Sequence, residues 1–173
     1  SKYMSNIVNA KWLKENLNNE KLVLVDCRFS LMDKEYGKRS YESSHIKGSL
    51  RVDIETELSD KVSTHGGRHP LPTIDKLKDV FEKIGISNDS IVVAYDEGDL
   101  AGPSRLWWIL KYLGHKEVYI LDGGISPENK SKLSKIKPAL SNFFSNNEYI
   151  YVDFELFIVD NLFSITLKSP PEL

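Results

Sequence analysis

The sequence has one cysteine in 173 residues, Cys27, so no disulfide can form within the chain. A lone thiol suits a reducing compartment, and the cytoplasm is the expected location. Long apolar runs are also missing. None approaches the roughly 20 residues that cross a bilayer, and Ser1-Lys2-Tyr3-Met4 lacks the apolar stretch of a signal peptide. Charge of one sign is not in excess either. The net charge of -2 leaves no basic footprint for nucleic acid and no polybasic patch for a membrane surface. What remains is 40% hydrophobic and 28% charged, long enough to bury a core without staples.

Along the chain, Asn9 caps a short helix that puts Trp12, Leu13 and Leu17 on one side. Lys21–Asp26 is a continuous β-branched run, as in a strand covered on both faces. A short helix is expected over Tyr36–Ser44 and a short strand over Ser49–Asp53. Residues 55–72 form a long loop with two glycines and two prolines, and loops of this length are usually functional or surface-wrapping. Thr73 opens an amphipathic helix with Ile74, Leu77, Phe81 and Ile84 on its buried face, stopped at Gly85. Ile91–Tyr95 reads as a buried strand. A helix follows, with Pro103 expected at its first position and Arg105–Leu113 as its body, ended by Gly114. Glu117–Leu121 is the next strand, closed by Asp122-Gly123-Gly124.

Strands alternating with helices predict an α/β fold with a parallel sheet. Ligands of such sheets sit beyond the carboxyl ends of the strands, here Asp26-Cys27-Arg28, Asp96-Glu97-Gly98 and Asp122-Gly123-Gly124. The expected organisation is one domain over 1–125, a Lys-, Ser- and Asn-rich linker over 126–148, and an apolar, aromatic segment over 149–173. That last segment is read as an unfinished element, with a helix around Asp153–Asp160 and a strand around Phe163–Leu167.

The ordered set of motifs from Trp12 to Gly124 resembles the N-terminal domain of two-domain rhodanese-type sulfurtransferases, the thiosulfate and 3-mercaptopyruvate kind. The pieces that carry the resemblance are Leu24-Val25-Asp26, His45-Ile46-Lys47-Gly48-Ser49, Val52-Asp53-Ile54, Leu71-Pro72 and Val92-Val93-Ala94-Tyr95-Asp96. They continue with Gly102, Ser104-Arg105-Leu106-Trp107-Trp108, Gly114-His115 and Leu121-Asp122-Gly123-Gly124. The resemblance implies a rhodanese-like parallel sheet with helices on both faces, usually present twice in tandem. It makes 149–173 the truncated start of a second such domain. It implies no cofactor, and a small-molecule sulfur donor and a thiophilic acceptor as partners; the charge pattern adds the expectation of no nucleic acid and no membrane.

In catalytic domains of that family a nucleophilic cysteine opens the loop after the strand that matches Ile91–Tyr95. Amides curling around the sulfur and a helix starting just afterwards favour a thiolate there. In this sequence the position is Asp96, so the resemblance implies a vestigial, non-catalytic loop formed by Asp96, Glu97, Gly98, Gly102, Ser104 and Arg105. A phosphatase-type cysteine loop is excluded at the same position. The function expected of the parent protein is sulfur transfer through a cysteine persulfide, with this chain supplying the non-catalytic domain. The alternative is a catalytically silent module that binds or regulates a partner through its acidic loop.

Other residues weigh towards structure. Cys27 lies at a strand exit and not on a glycine-rich loop, so a packing thiol is expected. His45 is expected to fix the turn before Gly48, and His115 to close a helix. His65 and His69 have a metal-like spacing but no cysteine or carboxylate partners nearby in sequence, so no metal is expected. Arg28, Arg51 and Arg68 are candidate sources of positive charge at a shared site. Of Trp107 and Trp108, about 100° apart on a helix, one is expected to face the sheet and the other outward.

Overall fold

The computed structural model describes residues 6–62, 64, 67 and 69–134, together with three short strands between 144 and 158. The main sheet contains β1 (Ile7–Val8), β2 (Leu22–Asp26), β4 (Leu50–Arg51), β5 (Ile91–Tyr95) and β6 (Val118–Leu121), in the order β1-β6-β5-β2-β4. Every pairing in it is parallel, with Val25 opposite Ala94 and Leu50, and Val93 opposite Tyr119. The α/β expectation from alternating strands and helices holds. Parallel strands need crossover connections, and helices α1 (Ala10–Asn16), α2 (Tyr36–Ser43), α3 (Ile74–Lys83) and α4 (Ala101–Tyr112) lie in or beside them.

Strand alternation splits the core in two. Val25, Val92, Ala94 and Val118 point to one face and meet Leu77, Phe81, Leu106 and Ile109 of α3 and α4. Leu24, Val93, Tyr95, Tyr119 and Leu121 point to the other and meet Leu13 of α1, Val8 and Ile46. Both faces are therefore covered, which is why these strands read as unbroken apolar runs.

Helix ends follow the chemistry of their caps. Asn9 accepts from the Trp12 amide at 2.8 Å and Thr73 from the Lys76 amide at 3.2 Å. Gly114, at φ 86°, turns the chain out of α4. That helix begins at Ala101, earlier than expected, so Pro103 is its third residue. Proline is tolerated there because first-turn amides have no intrahelical acceptor. Trp107 packs against the core while Trp108 is 47% exposed and stacks on Tyr112, as the helical spacing predicts.

The span expected as a linker contains a helix, α5 (Pro127–Ser134). Its first turn is tied down by Asn129, whose side-chain amide donates to the carbonyls of Asp122 (2.7 Å) and Gly124 (3.0 Å). Further along, β3 (His45–Ile46) pairs antiparallel with β7 (Phe144–Ser145), and β8 (Tyr149–Val152) with β9 (Glu155–Ile158). The helix expected around Asp153–Asp160 is thus corrected to a strand pair. The β-branched and aromatic residues Tyr149, Ile150, Tyr151, Val152, Phe157 and Ile158 favour a pleated ladder over a helix. The expected strand Phe163–Leu167 lies outside the described residues, as do His65 and Arg68.

Candidate functional site

The carboxyl ends of β2, β5 and β6 converge, and the loop after β5 sits between the other two exits. Asp96 opens that loop and is 2% exposed. Its carboxylate accepts from the amides of Gly98 at 2.7 Å and Leu100 at 2.8 Å. Curling the chain this tightly needs Gly98 at φ 121° and Leu100 in the left-handed region at φ 73°, a conformation that costs a non-glycine residue about 1 kcal/mol. Burial, then the neighbouring Asp99 carboxyl, push Asp96 up to about 7, against the two amides that lower it.

Two glycines seat the loop on its neighbours. A Cβ on Gly102 would lie 1.9 Å from the Cys27 carbonyl oxygen, and one on Gly124 would lie 1.9 Å from that of Asp96. The Ile125 amide donates to the same Asp96 oxygen at 2.8 Å. Glu97 leaves this frame towards α2 and accepts a short hydrogen bond from the Tyr36 hydroxyl. The Asp99 carboxylate accepts from the Ala101 amide at the start of α4.

At the β2 exit, Asp26 and Arg28 form a buried pair. Arg28 donates through Nε at 3.1 Å and Nη2 at 2.6 Å to Asp26, and through Nη2 at 2.6 Å to the Ser44 carbonyl. Burial opposes the guanidinium charge, but Asp26 outweighs it and holds Arg28 above its ordinary value. Cys27 between them is fully buried, with Sγ 3.7 Å from the Val25 carbonyl oxygen. Burial, followed by the charges of Asp26 and Asp96, raises its thiol well above the usual range. Such a thiol is a poor nucleophile.

Of the loop residues singled out in the sequence, Asp96, Glu97, Gly98 and Gly102 come together here. Ser104 is exposed on α4, and its amide donates to Leu100 in the first helical turn. Arg105 turns to the long loop and donates to the carbonyls of Leu58, His69 and Pro70. His45 is buried, stacked on Tyr41, with its Nδ1 donating to the Tyr41 carbonyl at 2.8 Å. The Nε2 of His115 donates to the Ser90 carbonyl, and His69 faces Phe29 and the Glu55 carboxylate.

Three links were missed: Tyr36 to Glu97, the Asp26–Arg28 pair, and Tyr95. The Tyr95 hydroxyl accepts from the Ile46 amide and bonds the Ser49 hydroxyl at 2.8 Å. Only the second of the three had a visible signal, the Asp-x-Arg spacing at a strand exit. Among the described residues, one acidic group brings ligand atoms within 4.8 Å of one another: Asp96, Glu97 and Asp99. Asp96 and Glu97 there already accept the hydrogen bonds given above.

The family model of the rhodanese-like domain matches residues 9–127. The chain belongs to the rhodanese-like domain family. It is 41% identical over 122 residues to a Pseudomonas aeruginosa protein named "Probable 3-mercaptopyruvate sulfurtransferase", covering 69% of this chain and 43% of that one. It is 32% identical over 124 residues to the thiosulfate sulfurtransferase of Rattus norvegicus, covering 68% and 41%. The solved 3-mercaptopyruvate sulfurtransferase from Leishmania major superposes with a TM-score of 0.67 at 30% identity, over 76% of this chain and 35% of that one. This rhodanese-like chain spans less than half the length of each of these three relatives. The rhodanese-like fold read from the sequence holds. No helix among the described residues is long and apolar enough to cross a membrane.

Proposed function

We propose that this chain supplies the non-catalytic, N-terminal half of a cytoplasmic sulfurtransferase whose sulfur-carrying cysteine lies in a second rhodanese-like domain. The observation that carries the reading is Asp96. It stands at the head of an amide-lined loop preceding a helix, the setting that favours a thiolate, and presents a carboxylate instead. The chain's one thiol is buried and held protonated, so it does not substitute. The limited share of its relatives that the chain covers is consistent with a partner domain.

In the proposed cycle, a thiolate of that second domain attacks the outer sulfur of thiosulfate. The S–S bond breaks, sulfite leaves, and the enzyme persulfide passes its terminal sulfur to cyanide or another thiophilic acceptor, regenerating the thiolate. With 3-mercaptopyruvate as donor, pyruvate would leave instead. No step calls on a cofactor. A silent binding module is the second reading, supported by the carboxylates of Glu97 and Asp99 clustered at the mouth.

The test is thiocyanate formation from cyanide with thiosulfate, and separately with 3-mercaptopyruvate, by this chain once circular dichroism shows it folded. The expected result is no turnover. Turnover that disappears in Cys27→Ser would overturn the proposal.

A further inference from the structure

Beside the β2 exit, on the side away from the Asp96 loop, lies a second opening at the carboxyl end of the sheet. It is a cavity of about 210 Å³ bounded by the β2 exit (Arg28 and Phe29), Lys34 and Gly37 near α2, and the β4 exit (Arg51 to Thr56). For comparison, a water molecule in the liquid occupies about 30 Å³, so the space suits a solute of a few heavy atoms. Gly37 makes the cavity wall tight, because a Cβ there would sit 2.1 Å from the Arg28 carbonyl oxygen.

Three cations, Arg28, Lys34 and Arg51, face two carboxylates, Asp53 and Glu55, around this space. Asp53 is already engaged. Asp53 accepts from the amides of Glu55 (2.9 Å) and Thr56 (3.1 Å) and from Arg51 (3.3 Å). Glu55 stands 3.9 Å from His69 Nε2, beyond hydrogen-bond distance. Two of the cations also keep donors to spare. Arg51 keeps its Nε buried with no acceptor, and the exposed Lys34 has no ion pair among the described residues. Arg28, 6% exposed, is locked by Asp26 and the Ser44 carbonyl, so its charge is answered within the fold and it serves as a fixed wall. Lys130 of α5 also senses Arg28. Burial, then the Arg28 charge, hold its ammonium below the usual lysine value.

We propose that this cavity is a binding site for a small oxyanion, of sulfate or short-chain carboxylate type, held by Arg51 and Lys34. Planar guanidinium and mobile ammonium donors suit such an anion, and the Phe29 ring gives it one apolar wall. The site does not depend on the sulfur-transfer reading, since it asks nothing of position 96.

The experiment is an amide NMR titration of the full 173-residue chain with sodium sulfate, thiosulfate and pyruvate, each at constant ionic strength against sodium chloride. Saturable shifts confined to residues 28–37 and 51–56 are expected for at least one of the three anions. The pattern across the three tells a sulfur oxyanion from a carboxylate. Lys34→Gln, an exposed change that leaves the fold alone, should weaken binding roughly threefold, and Arg51→Gln about tenfold. Lys116→Gln, at the opposite end of the sheet, should change nothing. Shifts that stay linear, that chloride reproduces, that map elsewhere, or that survive Lys34→Gln unchanged would overturn the proposal, even if Arg51→Gln fails to fold.

Discussion

Replacing Gly102 with alanine sets two effects of opposite sign against each other. Alanine is the better helix former by about 1 kcal/mol, and Gly102 lies within α4 and outside the positive-φ region. Propensity alone therefore predicts a more stable protein. The new methyl, however, would lie 1.9 Å from the Cys27 carbonyl oxygen and 3.0 Å from its carbon. Carbon–oxygen contacts settle near 3.3–3.6 Å at roughly their closest, so α4 and the β2 exit must part by more than about 1 Å. Both partners are backbone and cannot rotate away. Overpacking of this kind costs about 1–3 kcal/mol and occasionally more, and we expect a net loss of about 2 kcal/mol. In urea, with a slope of about 2 kcal/mol per molar, the midpoint should fall by about 1 M. Gly114→Ala is the control: open space surrounds it, but φ is 86°, so it should lose only about 1 kcal/mol. A Gly102→Ala midpoint equal to or above that of the parent chain would refute the close approach of α4 to β2.

The remaining expectations concern charge, reactivity and one hydroxyl. Asp96 binds its proton more tightly in the folded chain (about 7) than at its ordinary value of 3.8. Its contribution is therefore fully present below about pH 4 and lost as the pH rises to about 7. Thermal melts of wild type minus Asp96→Asn across that window should show the decline, and a flat difference would count against it. Cys27, buried and with its thiol raised, should react with a disulfide reagent at pH 8 only after denaturant is added, and prompt labelling of the folded chain would contradict its burial. Tyr95→Phe strips the Ile46 amide of its acceptor inside the core. A buried donor left unpaired costs about 1–3 kcal/mol, measurable as a lowered urea midpoint, and an unchanged midpoint would show that another group satisfies that amide.

The fold was legible where one residue dictates a local outcome. Asn9, Thr73 and Gly114 mark helix ends through their own side chain or lack of one, and the unbroken run Ile91–Tyr95 announces a strand covered on both faces. Two-residue strands such as Ile7–Val8 and His45–Ile46 carry no period and exist only because a distant partner supplies the ladder. The segment 126–148 was read from composition as linker, yet Asn129 anchors α5 to the β6 exit through two carbonyls. A side chain reaching back to backbone leaves no trace in composition. At the candidate site, the loop after Ile91–Tyr95 was legible because a buried strand ends there and a glycine precedes a helix. The Tyr36 to Glu97 bond spans 61 residues, and nothing in either neighbourhood foretells it.

Three glycines, 37, 102 and 124, each rest on a carbonyl just past a strand end, those of Arg28, Cys27 and Asp96. These seams fix where the chain runs independently of what the side chain at 96 is made of. Position 96 is in that sense an exchangeable insert in a rigid socket: carboxylate or thiol, the surrounding backbone need not move. The seams are not exchangeable, because any side chain there forces two backbones apart. The side chain at 96 can therefore vary within a kept shape, but a seam cannot be traded away without rebuilding a strand exit.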